Sequence, residues 1–285
     1  MIKLLFQLHV FSFILFFSTS ILAQELPRHN PVPGGIAIVD LNDTNEIAPT
    51  VYFQKRRVMV VKGESGGWQA VIGIPLNIKA GKHTIAIKAA TQKPLGFKVR
   101  AKEYELRHIT INNKRMVSPT KADIARHYKE KPLMLAALKT WTEQAEVATA
   151  FILPVQGRLS SQFGLRRIYN KQERIRRHTG LDIAAPVGTL IVAPARGRVI
   201  RTGDYFFTGG TVFIDHGQGL VTMYCHLSKT DVKAGDELNQ GDRIGEVGST
   251  GRVSGPHLHW VVSLNNTKVE PKLFLSKEVT QRTTQ

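Results

Sequence analysis

Cysteine is almost absent. Cys225 is the single one in 285 residues, so no intramolecular disulfide can form and the fold must be held by burial or by a metal. Acidic residues are scarce as well: 22 Asp and Glu stand against 39 Lys and Arg, and the resulting net charge of +17 implies an anionic partner. The cations are spread along the whole chain, so charge alone does not separate nucleic acid, membrane surface and wall polymer. Long helically periodic segments are also in short supply. Instead, 24 glycines and 13 prolines fall between short apolar runs, which predicts a mainly β chain and argues against a helical bundle.

Residues 1–23 read as an export signal. Lys3 supplies the positive start, Leu4 to Leu22 is largely apolar, and Ala23 is a small residue at which cleavage fits. The apolar stretch is long for a signal core and Ile21 is bulky near the cut, so retention of residues 4–22 as a membrane anchor is the second outcome. Either way the remainder faces outward, which removes nucleic acid as a partner. With no cysteine near the cut, lipid attachment there is excluded.

Residues 25–111 are expected to form an N-terminal β-sandwich-like module. Runs such as Gly35 to Val39, Arg57 to Val61 and His83 to Ile87 are separated by turn residues, as in Gly63 to Gly67. No cluster with catalytic spacing occurs in them, which suits a binding, positioning or occluding role. Arg100 to Ile111 reads as a further polar strand. Residues 112–150 read as a helical connector: Thr120 and Asp123 have capping-box spacing, Pro132 is expected to interrupt the helix, and Met134 to Val147 to resume it. Residues 151–277 return to compact β with tight turns, and residues 278–285 form a polar tail.

The chemistry lies in residues 151–277. His178-Thr179-Gly180-Leu181-Asp182 sets an imidazole and a carboxylate four residues apart around a glycine. His257-Leu258-His259 enters an apolar run, where strand geometry projects both imidazoles onto one face. The loop Ser249 to Pro256 before it has the form of backbone brought close to a site. In Val221 to Leu227, alternation predicts Met223, Cys225 and Leu227 on one face and Thr222, Tyr224 and His226 on the other, which makes Cys225 a core residue. His216, at a strand end, reads as structural.

A catalytic zinc site takes three nitrogen or oxygen ligands and keeps one position for water. His178, Asp182 and one of His257 or His259 supply that set, leaving the other histidine and His226 close by as proton acceptors. The His-Glu-x-x-His helix of many zinc proteases is missing, and Glu173, the nearest other carboxylate, sits in a basic loop.

These residues, with Ser160-Ser161-Gln162-Phe163-Gly164-Leu165-Arg166 before them, resemble the lysostaphin-type, or LytM-like, zinc endopeptidase family from Leu153 to about Leu275. The resemblance implies an antiparallel β peptidase domain in which His178, Asp182 and His259 bind zinc and His226 with His257 are catalytic. It further implies peptidoglycan stem peptides and cross-links as substrates, a location in the periplasm or cell envelope of a bacterium, and an N-terminal β module like that of some relatives. Trp260 and Val261 stand where many relatives carry Phe-Glu, and neither position is a ligand. The basic stretch Lys171 to Arg177 is expected to wall the groove. Two rival readings are a non-catalytic LytM-like activator and a basic cell-wall-binding protein.

Overall fold

Period-two patterning organises most of the chain into strands. The structure, a computed structural model, describes residues 25–88, 94–170 and 172–276, so the expected signal or anchor (1–23) and the tail (278–285) lie outside the described residues. Among the described residues no helix is long and apolar enough to cross a membrane.

The N-terminal module holds β1 (Ile36–Asp40), β2 (Val51–Phe53), β3 (Arg56–Arg57), β4 (Met59–Lys62), β5 (Trp68–Gly73), β6 (Gly81–Ile87) and β7 (Leu95–Val99). They pair as two antiparallel sheets, β1-β5-β4 and β3-β2-β6-β7. Ala37, Val60, Ala70 and Ile72 of the first sheet close on Val51, Phe53 and Ile85 of the second, giving the sandwich-like module its own core. The first sheet is apolar on its other face too. Ile36, Met59, Val61 and Val71 point the opposite way and join the core of the C-terminal domain. Backbone ties reinforce this docking: Val60 N–H donates to Gln218 Oε1 at 2.9 Å and Glu270 N–H to the Gly34 carbonyl at 2.8 Å.

The connector differs from its expected form in two ways. Only β8 (Leu106–Ile109) of the polar stretch Arg100 to Ile111 is strand, and it pairs in parallel with a strand of the C-terminal domain rather than with the module before it. After the short α1 (Lys114–Val117), α2 runs unbroken from Lys121 to Leu138 straight through Pro132, and no further helix forms in the rest of the connector, residues 140–150. Proline removes its own N–H from the helical ladder and crowds the carbonyl four residues back, a local cost. The turn beyond it is held by docking, since Ala137 and Leu138 are buried against Phe213, Val221 and Val261. At the other end the Thr120–Asp123 capping box forms as the spacing predicts.

The C-terminal domain comprises β9 (Arg158–Ser161), β10 (Arg166–Tyr169), β11 (Arg176–Arg177), β12 (Leu181–Ala184), β13 (Leu190–Val192), β14 (Gly197–Tyr205), β15 (Gly209–Gly217), β16 (Leu220–Thr230), β17 (Glu237–Leu238), β18 (Arg243–Val247), β19 (Leu258–Leu264) and β20 (Thr267–Val269). A ten-stranded antiparallel sheet follows the path β17-β14-β15-β16-β19-β12-β9, with β13, β18 and β20 attached at its sides. The small sheet β11-β10-β8 stands apart from it. One face of the large sheet, with Tyr224, Trp260, Leu181 and Ile183, builds the main core. The other face is covered by the end of α2 over Val221 and Val261 and is open beyond it. The fold class, mainly β with an N-terminal module and a C-terminal antiparallel domain, is the one that composition and patterning predict.

Candidate metal centre

Three adjacent strands bring the histidines and the aspartate together on the open face. In the β16-β19-β12 register, Cys225 lies opposite His259, and His259 opposite Asp182, so these side chains share one face. His178 lies just before β12. Its Nε2 lies 2.9 Å from Asp182 Oδ1 and 3.1 Å from His259 Nδ1, and His259 Nδ1 lies 2.6 Å from the same carboxylate oxygen. Gly180 makes this possible by closeness rather than by unusual backbone angles. A Cβ there would sit 2.6 Å from His259 Cε1 and 2.7 Å from the Trp260 carbonyl.

The donor chemistry of the cluster fits a cation. His178 Nδ1 lies 2.6 Å from the Gln162 carbonyl, which can only accept, so this nitrogen carries the proton and the neutral ring turns the lone pair of Nε2 towards Asp182 and His259. The His178 lone pair, the Asp182 carboxylate and His259 Nδ1 therefore converge, and one shared cation would satisfy all three. His178 Nε2, Asp182 Oδ1 and His259 Nδ1 are the atoms that would hold a metal. Asp182 Oδ2 is engaged separately by Arg167 Nη2 at 2.6 Å, and that guanidinium is in turn 2.6 Å from Ser161 Oγ.

The remaining two histidines flank the cluster. The His257 ring has Nε2 3.7 Å from Asp182 Oδ1 and Nδ1 2.8 Å from the Gly255 carbonyl. His226 packs on it with ring centroids 4.9 Å apart, and its Nδ1 lies 2.8 Å from the Thr250 carbonyl. The loop Ser249 to Pro256 thus supplies one carbonyl to orient each ring, and both Nε2 lone pairs stay available. Burial, together with repulsion from His257 and His259, lowers the His226 pKa well below the histidine value, so this ring is neutral at neutral pH.

His226 reaches the cavity by a route that strand alternation does not give. Between Tyr224 and Leu227, β16 carries one residue more than β15 does between Val212 and Gly210, and His226 has a φ of 70°. The bulge reverses the faces beyond it. Leu227 turns into the main core with Tyr224, while His226 joins the face of Met223, contrary to the expected grouping of Met223, Cys225 and Leu227. Cys225 is buried as expected, and burial pushes its thiol up to about 12, which disqualifies it as a nucleophile. His216 is also buried, with Nδ1 2.7 Å from the Arg196 carbonyl and Nε2 2.8 Å from Thr222 Oγ1, away from the cluster. Glu173 is exposed and does not line the cavity.

The cluster opens into a cavity of ≈ 360 Å³ whose walls include Arg177, Arg252 and, from β8, Arg107 and Ile109. Of the basic stretch Lys171 to Arg177, only Arg177 contributes to these walls among the described residues. Arg252 lies over Phe207 at 4.5 Å and Tyr169 at 5.0 Å. Sequence reasoning did not single out Arg167, although it directly follows the segment Ser160 to Arg166. Nor did it find β8 as a wall, because that depends on a pairing across 60 residues of chain.

Residues 176–271 match the model of peptidase family M23, and residues 29–102 that of the peptidase family M23 N-terminal domain. A crystal structure from Pseudomonas aeruginosa assigned to peptidase M23 is 41% identical, with a TM-score of 0.72 over 86% of this chain and 95% of that one. The chain belongs to peptidase family M23. Among curated M23 relatives, peptidoglycan DD-endopeptidase ShyA of Vibrio cholerae is 44% identical over 103 residues, which is 36% of this chain and 24% of ShyA. DD-carboxypeptidase/endopeptidase Mpg of Neisseria meningitidis is 42% identical over 117 residues, 41% of this chain and 27% of Mpg. The chain therefore spans about a quarter of the length of these curated relatives.

Proposed function

We propose that this M23 chain is an exported zinc metalloendopeptidase that hydrolyses peptide cross-links of bacterial peptidoglycan. In this reading His178, Asp182 and His259 hold the zinc, and His226 and His257 handle the protons of the reaction. The observation that carries it is the meeting of three lone-pair donors on an open cavity, beside two imidazoles each tied down at only one nitrogen. A zinc ion in such a donor set lowers the pKa of its water towards about 7 and polarises an amide carbonyl.

The chain's own residues would do the rest. Arg167 fixes the second carboxylate oxygen, so Asp182 presents Oδ1 alone. His257, with Nδ1–H held by Gly255, has an Nε2 lone pair beside the donor cluster and is suited to take a proton from the attacking water. His226, anchored at Nδ1 by Thr250, would stabilise the developing oxyanion only once its Nε2 has gained a proton, and is suited to work with His257 in passing that proton to the leaving amine. ShyA, named above, is a peptidoglycan DD-endopeptidase, and peptidoglycan lies outside the cytoplasm, in keeping with residues 1–23 as an export segment. The charge of +17 suits an anionic wall.

The test is zinc content measured together with mass spectrometry of purified cross-linked muropeptides. Stoichiometric zinc with cleavage at a peptide bond is expected. Zinc without cleavage would favour the non-catalytic activator, and neither zinc nor cleavage would favour a basic wall-binding protein.

A further inference from the structure

Among the described residues, five cationic side chains line the cavity, Arg107, Arg167, Arg177, Arg252 and Lys268, and the one carboxylate in its walls, Asp182, is already bonded to Arg167. Four of the five have partners within the protein. Arg167 has Asp182, Arg107 pairs with Glu105, Arg177 lies over Tyr104, and Arg252 lies over Phe207. Lys268 is different. Among the described residues no carboxylate lies within ion-pair distance of it, and its Nζ makes one long hydrogen bond, 3.3 Å to Thr179 Oγ1.

Its place in the fold aims it at the site. Lys268 lies opposite Ser263 in the β19–β20 ladder, and Ser263 shares its face of β19 with His259 through Val261. Thr179, which it touches, sits between His178 and Asp182 along the chain. Burial lowers its pKa from the ordinary lysine value. A half-buried ammonium without a counter-charge is poorly compensated, and an arriving anion supplies the missing partner.

We propose that Lys268 is a specificity-determining residue that receives a substrate carboxylate close to the scissile amide. The chain thereby prefers acidic peptides to their amidated counterparts. This inference rests on the peptidase reading of the site, and binding separates the two. The probes are acetyl-D-alanyl-D-alanine and its C-terminal carboxamide, titrated by NMR against the full-length chain stripped of metal, so that no hydrolysis intervenes.

A charge-assisted contact predicts that the acid binds about 10- to 100-fold tighter than the amide. Lys268→Met should erase that ratio while leaving amide binding unchanged, and Lys268→Arg should restore part of it. Should the methionine variant fail to fold, Lys268→Gln carries the same comparison. Equal binding of acid and amide by the wild type, or a ratio that survives loss of the ammonium, overturns the proposal. An intact ratio in a chain that cleaves no muropeptide when loaded with zinc would instead overturn the peptidase reading and leave the carboxylate site standing.

Discussion

The hairpin β15–β16 carries a histidine at each of two bulges, and the two have opposite fates. At the closed end the extra residue is His216 on β15, between Asp215 and Gly217. At the other it falls between Tyr224 and Leu227 on β16 and turns out His226. His216 has both ring nitrogens bonded within the protein, to the Arg196 carbonyl and Thr222 Oγ1. His226 has one bonded, to the Thr250 carbonyl, and its other nitrogen faces the cavity beside His257. Burial depresses both pKa values, so burial does not distinguish a histidine bonded at both ring nitrogens from one with a nitrogen left towards the cavity. What distinguishes them is how many lone pairs and protons the fold leaves uncommitted.

The sharpest way to separate the two kinds of position is to remove a donor from the cluster itself. Asp182→Ala should lose bound zinc and reduce muropeptide hydrolysis to background, read by elemental analysis and product mass spectrometry. His226→Ala should keep its zinc and lose about 10²- to 10⁴-fold in kcat, the usual contribution of a general acid or base. Zinc lost along with activity in this variant would mean that the bulged histidine is a ligand.

His216 should instead be visible in stability. Its pKa falls from 6.5 to about 4 because the buried ring resists charging. The unfolded chain binds that proton below pH 6.5 and the folded chain does not, so stability is unpenalised above pH 6.5 and declines as pH falls to about 4. The total is about 3 kcal/mol at about 1.4 kcal/mol per pKa unit. Denaturant midpoints across this window should fall for the wild type and less steeply for His216→Gln. A smaller effect is expected from Arg167→Met, which frees the outer carboxylate oxygen of Asp182 and should weaken zinc affinity about 10- to 100-fold without removing a ligand. Unchanged affinity would show that Asp182 is held by the strand alone.

How much of this was legible in the sequence varies by element. At the start of β19, plain alternation sets His259 and His257, the residue just before the strand, on one side, and the observed pairing of His259 with Asp182 and Cys225 follows that regular strand. On β16 the same rule misplaces Leu227 and His226, because an inserted residue and a left-handed φ reverse the pattern. In α2 the capping box was legible from Thr120 and Asp123, but passage through Pro132 was not, since docking of Ala137 and Leu138 outweighs one missing hydrogen bond. The N-terminal module read as an ordinary sandwich. Nothing local indicated that Ile36, Met59, Val61 and Val71 would form part of the neighbouring domain's core.

The sequence by itself determined the mainly β character, the module order and the residue types able to hold a metal, because strand period, turn residues and donor chemistry are local properties of the chain. Tertiary structure alone decided which histidine nitrogens the described residues leave unbonded, that β8 walls the cavity, and that Lys268 has no carboxylate partner among the described residues. Each of these depends on contacts between residues far apart in sequence, whose proximity only the closed sheet fixes.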